Sequence, residues 1–214
     1  MPYKLTRFFL WCVSNALFRI RVEGAENIPK TGGGLLASNH ISYADSILVG
    51  IPTPRIVRFV MWQPIYDVPV LNYFFRVLHA IPINESSPKA IIRALRAARE
   101  ELAAGELVAI FPEGAISRDG ELGTFERGYQ KVLEGHHAPV IPMHIDGLWG
   151  HPLSCSGGAA FKSWQKLWRP VVNVRIGKPV YERVTPEELR EIVVALGDSA
   201  GEGQSQPRLD HVLR

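Results

Sequence analysis

The apolar positions of this chain fall into short runs separated by stretches with helical spacing. Leu35-Leu-Ala-Ser38, Arg58-Phe-Val-Met-Trp62, Leu107-Val-Ala-Ile-Phe111, Val140-Ile-Pro-Met-His144 and Val171-Val-Asn-Val-Arg-Ile176 read as strands. The unbroken run 107–111 has the character of a strand covered on both faces, as in parallel sheets. Ala80-Ile-Pro-Ile83 is a short extended piece suited to a sheet edge. Pro142 lacks an N–H, which predicts that its strand lies at an edge or ends nearby. Ile91, Leu95, Ala98 and Leu102 recur at helical spacing, opened by Ser87-Pro88 and stopped by Gly105. Thr185-Pro-Glu-Glu188 is a capping box before Leu189, Ile192, Val193 and Leu196, the apolar face of another helix. A shorter helix is expected over Tyr43–Leu48, and 64–75 is an aromatic region broken by proline. Strands alternating with helices predict an α/β fold: a central mixed, mostly parallel sheet flanked by helices.

The ends of the chain follow different patterns. Pro2 to Arg21 reads as a helix rich in large apolar residues, with Lys4, Arg7, Arg19 and Arg21 around it and no acid. Ser14 and Asn15 interrupt it, and it is too short for a bilayer span. An interfacial helix fits, with Phe8 and Trp11 at the headgroup level and the cations toward anionic lipid. The plainer alternative packs the helix on its own domain. Trp149, Trp164 and Trp168, with Lys162, Lys166 and Arg169, are candidates for a second lipid-facing surface. No secretory cleavage site follows the apolar stretch. The expected organisation is an N-terminal interfacial helix over 1–21, an α/β domain over 22–197, and a polar tail or linker stub over 198–214.

Composition narrows the classes little. With 46% apolar and 21% charged residues among 214, the chain can bury a single core. A net charge of +3 without a Lys/Arg run argues against a nucleic acid partner. Cys12 and Cys155 are far apart in sequence and form no metal motif; reduced thiols in an intracellular protein fit them. His79, His136, His137, His144 and His151 show no familiar metal-ligand spacing.

The candidate chemistry lies directly behind two of the apolar runs. His40 and Asp45 in Asn39-His-Ile-Ser-Tyr-Ala-Asp45 offer a base and a carboxylate able to fix its tautomer. Phe111-Pro-Glu-Gly114 offers a second carboxylate, Glu113, on a tight turn. With no Gly-x-Ser-x-Gly elbow and no cysteine in a nucleophile context, direct attack by an acceptor hydroxyl is favoured over an acyl-enzyme. The same residues have plainer uses: Asn39 or Ser42 as a helix cap, His40 bonded to loop backbone, Asp45 facing solvent, Glu113 as a turn residue. Tyr66, Tyr73, Phe74, Phe75 and Met61 suit either an acyl-chain groove or a packed core.

Asn39-His40 with Asp45, Phe111–Gly114 and Val140–Met143 resemble, in order, the first, third and fourth sequence blocks of glycerolipid acyltransferases of the lysophosphatidate acyltransferase type. The resemblance covers about residues 20 to 180. It implies a membrane-associating N-terminal helix and an α/β domain that joins an acyl thioester, acyl-CoA or acyl-ACP, to a glycerol hydroxyl, with no cofactor or metal. It implies His40 as general base, Asp45 as its partner, and Glu113, Gly114, Arg118, Asn84 and Pro142 on the acceptor side. It also implies a peripheral protein on the cytoplasmic face of the cell membrane. Two departures stand out. Asn84 ends a second block that usually ends in arginine, and Ala115-Ile116 replace a common Thr-Arg. Fewer guanidinium groups weaken the grip on a phosphomonoester. The expected acceptor is therefore a lysophospholipid with a diester headgroup, with 1-acyl-glycerol-3-phosphate as the alternative and a non-catalytic lipid-binding module as a third reading. The segment 111–122 is most similar to the acyltransferase domain of fused acyl-glycerophosphoethanolamine acyltransferase–synthetase proteins, which would make other domains of a larger protein its partners. Arg76, Arg127 and Lys131 are further candidates for phosphate contacts.

Overall fold

The structure is a computed structural model that describes residues 2–156 and 169–198. Trp164, Trp168, Lys162, Lys166 and the tail from 199 onward lie outside the described residues. Helix α1 covers Pro2–Leu17, followed by strand β1 at Arg19–Glu23 and β2 at Gly34–Ser38. Then come α2 (Asp45–Gly50), β3 (Val57–Trp62), α3 (Gln63–Tyr66), α4 (Pro69–Val77), β4 (Ile81–Ile83) and α5 (Pro88–Ala103). The chain continues through β5 (Leu107–Ile110), α6 (Gly128–Leu133), β6 (Val140–Asp146), β7 (Val171–Ile176) and α7 (Pro186–Asp198).

The strands form one sheet in the order β1-β7-β6-β2-β5-β3-β4. The β6–β7 pair is antiparallel and every other neighbouring pair is parallel. The expectation of a mixed, mostly parallel α/β sheet is met. Because alternate strand residues point to opposite faces, β2 feeds Leu36 into one apolar core and Leu35 and Ala37 into another. The first core includes Leu48 and Val49 of α2, with Phe18 and Leu148. The second collects Ala94, Leu95, Ala98 and Leu102 of α5, Tyr129 and Val132 of α6, and Leu189 and Val193 of α7.

The helix starts are as the sequence indicates. Ser87 Oγ accepts from Ala90 N–H at 3.3 Å. Thr185 and Glu188 exchange bonds reciprocally, Thr185 N–H to Glu188 Oε2 at 2.7 Å and Glu188 N–H to Thr185 Oγ1 at 3.2 Å.

Two expectations need correction. The first helix ends at Leu17, and Arg19-Ile-Arg-Val-Glu23 is an edge strand in which half-buried and exposed residues alternate. Its polar/apolar alternation has period two, and Arg19 N–H is captured by Pro170 O at 2.8 Å. Pro142 does not mark an edge, since β6 lies between β2 and β7. Val140 uses both its N–H and its C=O on Val180, so by alternation the nitrogen of Pro142 faces the same side. There the ladder to β7 begins only at Met143↔Ile176, and the Pro142 carbonyl accepts from Gly177 N–H at 2.8 Å. The missing donor falls in a gap between two stretches of pairing.

Just past β6, Gly147 turns the chain with φ 89, and a Cβ there would overlap the Val171 carbonyl oxygen. Gly147→Ala is expected to destabilise the fold by about 1–3 kcal/mol, read as a lower urea midpoint with an unchanged slope.

Candidate active site

Two neighbouring parallel strands bring the key residues together. β2 and β5 pair with Ala37 opposite Ile110, and His40 and Glu113 each stand three residues further on. That equal offset places them side by side beyond the carboxyl ends of the strands, where open α/β sheets form their crevice. His40 N–H donates to Glu113 Oε1 at 2.7 Å, and Gly123 N–H donates to Glu113 Oε2 at 2.9 Å. The His40 carbonyl accepts from Ser117 N–H at 2.7 Å. Gly114, with φ 73, closes the turn that carries Glu113 through its own N–H to Phe111 O at 3.1 Å.

Asp45 opens α2 and returns toward His40. A single oxygen, Oδ2, accepts from Ile41 N–H at 2.7 Å and Ser42 N–H at 2.8 Å and meets His40 Nδ1 at 2.9 Å. The residue is 0% exposed, and Oδ1 has no hydrogen-bond partner. Burial raises the Asp45 carboxyl above its ordinary value, opposed by the hydrogen bond and charge of His40 and by the Ser42 and Ile41 amides. A carboxylate at Nδ1 requires the proton on that nitrogen, which leaves Nε2 as the acceptor. The His40 ring stacks on Phe111, centroids 4.0 Å apart and planes at 11°. Its side chain is 19% exposed, so the ring is held on one side and reachable on another. An imidazole held in this way at both backbone and ring has the geometry that proton transfer from a hydroxyl requires.

Burial also raises the Glu113 carboxyl, opposed chiefly by the Gly123 and His40 amides. Both of its oxygens are engaged by main-chain donors, so what Glu113 visibly does is hold the His40 backbone. Glu113→Gln turns one acceptor into a donor facing an N–H. It is expected to lower kcat by about 10²-fold through misplacement of the base, with KM for the acyl donor little changed in steady-state assays.

Of the remaining candidates, Arg118 is exposed on the loop after Ser117, and its charge acts on the phenol of Tyr43, which burial otherwise pushes up. The Arg118 charge and the Tyr43 phenol, from the segments that follow β5 and β2, thus lie within electrostatic reach of one another. Asn84 is not brought to the dyad. It is exposed beyond β4, accepts from Ser86 N–H at 2.8 Å, and lies three strands from β2, roughly 14 Å at the usual strand spacing. Pro142 is buried in β6, its ring close to Gly177. Arg76 sits on α4, and Lys131 pairs with Glu134 at 3.6 Å.

Sequence reasoning missed the work of Asn39. Its buried side chain donates to Ile145 O at 2.9 Å and accepts from Ile145 N–H at 2.7 Å, clamping the end of β2 to β6. A buried amide next to a candidate base was the available signal, but its partner lies 106 residues away. Among the described residues no cluster of three or more His, Cys, Asp or Glu side chains could hold a metal ion. No described helix is long and apolar enough to cross a membrane.

The sequence model of a family described as acyltransferase matches residues 19–146, the stretch that contains His40, Asp45 and Glu113. A chloroplastic 1-acyl-sn-glycerol-3-phosphate acyltransferase of Arabidopsis thaliana is 28% identical over 131 residues, 61% of this chain and 36% of that protein. The chain thus spans little more than a third of that relative's length. A 1-acyl-sn-glycerol-3-phosphate acyltransferase of Bacillus subtilis is 24% identical over 164 residues, 76% of this chain and 74% of that protein. The crystal structure of the 1-acyl-sn-glycerophosphate acyltransferase PlsC from Thermotoga maritima superposes with a TM-score of 0.75 at 26% identity, covering 95% of this chain and 81% of that one.

Proposed function

The chain belongs to the acyltransferase family, and from that premise we propose that it transfers a fatty acyl group from an acyl thioester to the free hydroxyl of 1-acyl-glycerol-3-phosphate. The observation that carries the reading is the 2.9 Å contact of His40 Nδ1 with a fully buried Asp45 at the carboxyl end of β2. His40 Nε2 takes the proton of the glycerol hydroxyl as that oxygen attacks the thioester carbonyl carbon. Asp45 holds the ring and stabilises the imidazolium that results. As the tetrahedral adduct collapses, the carbon–sulfur bond breaks and the imidazolium returns its proton to the departing thiolate. Glu113 acts through His40, and Arg118 at the rim supplies charge for the acceptor phosphate. Acyl-CoA and acyl-ACP both fit as donors.

The acceptor named for the relatives supports this phosphatidate-forming reading over the diester headgroup expected from the sequence. The likeness to fused acyl-glycerophosphoethanolamine proteins rests on the segment 111–122 alone. One observation keeps the diester acceptor as a second reading: Asn84 and Ala115-Ile116 stand where arginine-containing blocks are usual. The protein would work as a peripheral component of the cytoplasmic face, with α1 at the lipid–water boundary.

The test crosses purified protein with labelled acyl-CoA and acyl-ACP and a panel of lysophospholipids. Lysophosphatidate is expected to be acylated fastest. Faster acylation of lyso-phosphatidylethanolamine would install the second reading. Lipid partition without turnover on any acceptor would leave the non-catalytic module.

A further inference from the structure

We infer that Trp149 is a positioning residue for the acceptor: its indole, laid on Gly120, sets the turn that presents Arg118 to the acceptor phosphate. The inference rests on the reading that Arg118 meets that phosphate. It adds the loop after β6 to the site as a third segment.

β6 runs parallel to β2, with Ser38 opposite Met143, so the loops that follow the two strands leave the sheet at the same end. The loop after β6 is held on both sides of Trp149. Leu148 and His151 are buried. His151 N–H donates to Leu148 O at 3.0 Å, and Gly150 N–H donates to Ser154 Oγ at 3.1 Å. Leu153 O accepts from Tyr43 N–H at 3.0 Å and from Ser42 Oγ at 3.2 Å, which ties the loop to the segment between His40 and Asp45. Trp149 therefore starts from a fixed backbone. At 40% exposure it belongs to neither apolar core, so what it packs is the turn after β5.

Gly120 has φ 88, and a Cβ on it would stand 2.7 Å from two ring atoms of Trp149. Only a residue without a side chain lets the ring approach so closely. The turn beneath the ring is closed by its own polar groups. Gly120 N–H donates to Ser117 Oγ at 3.0 Å, and Ser117 Oγ reaches Glu121 O at 3.0 Å. Asp119 Oδ1 accepts from Glu121 N–H at 3.0 Å, so this carboxylate serves the turn. Arg118 is exposed and enters none of the ion pairs among the described residues. Its guanidinium is available to an oxyanion. Ser117 N–H donates to His40 O at 2.7 Å. The turn that bears Arg118 is thus anchored at one end on the proposed base and covered at the other by Trp149. Without the indole the turn keeps its anchor but loses the contact that fixes its outer half.

The experiment compares lysophosphatidate with uncharged monoacylglycerol as acceptors of the full chain, by steady-state transfer and by calorimetric binding. Trp149→Ala is expected to raise KM for lysophosphatidate and weaken its binding by about ten-fold, with KM for the acyl donor and binding of monoacylglycerol near wild type. Trp149→Phe should keep most of the grip. Gly120→Ala should reproduce Trp149→Ala, because its methyl group displaces the ring. In an Arg118→Gln background Trp149→Ala should add little, since both act on one contact. Far-ultraviolet dichroism checks that each variant is folded. Four outcomes would overturn the inference: lysophosphatidate binding unchanged in Trp149→Ala; equal losses for both acceptors; no effect of Arg118→Gln on lysophosphatidate; or effects of Trp149→Ala and Arg118→Gln that multiply. A wild type that binds lysophosphatidate but transfers nothing to it would overturn the acyl-transfer reading instead, and the binding comparison would still decide the role of Trp149.

Discussion

Replacing His40 by alanine is expected to lower turnover by about 10²–10⁴-fold and to leave the fold in place. The main-chain bonds of this residue, to Glu113 and Ser117, survive loss of the ring, whereas the Nδ1 contact with Asp45 does not. What disappears is the proton acceptor, together with the stack on Phe111. Far-ultraviolet dichroism should stay close to wild type, with a melting temperature lowered by the loss of a partner for buried Asp45, while single-turnover acyl transfer collapses. An active His40→Ala protein would show that another group takes the hydroxyl proton.

Asp45→Asn should separate activity from stability. Asparagine can place its carbonyl oxygen where Oδ2 now accepts three hydrogen bonds and its amide where Oδ1 has no partner. The geometry is kept, but the charge that steadies an imidazolium is gone, and kcat is expected to fall by about 10²-fold or more. Stability should move the other way. Burial raises the folded-state value of Asp45 above its ordinary 3.8, so between 3.8 and that raised value the folded protein binds more protons than the unfolded chain. Stability is lost as pH rises through this window and is fully present below it. Asparagine has no ionisation to penalise, so the variant should melt at or above the wild-type temperature at neutral pH. The difference should shrink as the pH approaches 3.8. A destabilised variant that retained activity would contradict both halves of the argument.

The parts of the fold that could be read from the sequence are those decided locally. Leu107–Ile110 announces a strand covered on both sides, and Thr185 with Glu188 announces a helix start, because the physical cause sits within a few residues. His40 and Asp45 were legible for the same reason, being one loop and one helix turn apart. β1 was hidden because the apolar run of α1 leads into it without a break, although Arg19-Ile-Arg-Val-Glu23 already alternates. The true place of Pro142 depends on where β7 begins to pair, and the clamp from Asn39 depends on Ile145. Both are set by strand order, which no local window contains. Asn84 stands just past the carboxyl end of β4, at the edge of the sheet three strands from β2, a distance that only strand order fixes.

The histidine gives its N–H to Glu113 and receives Ser117 N–H at its carbonyl, so both of its main-chain groups belong to the segment that follows β5. That segment is moored in turn to α7, where the Arg190 guanidinium donates to Gly123 O at 2.9 Å and to Leu122 O at 2.8 Å. Grafting this loop from a homologue to alter substrate preference would therefore move His40, the proposed proton acceptor, as well. Hybrid enzymes should work only when loop, base and the α7 arginine are exchanged as one cassette.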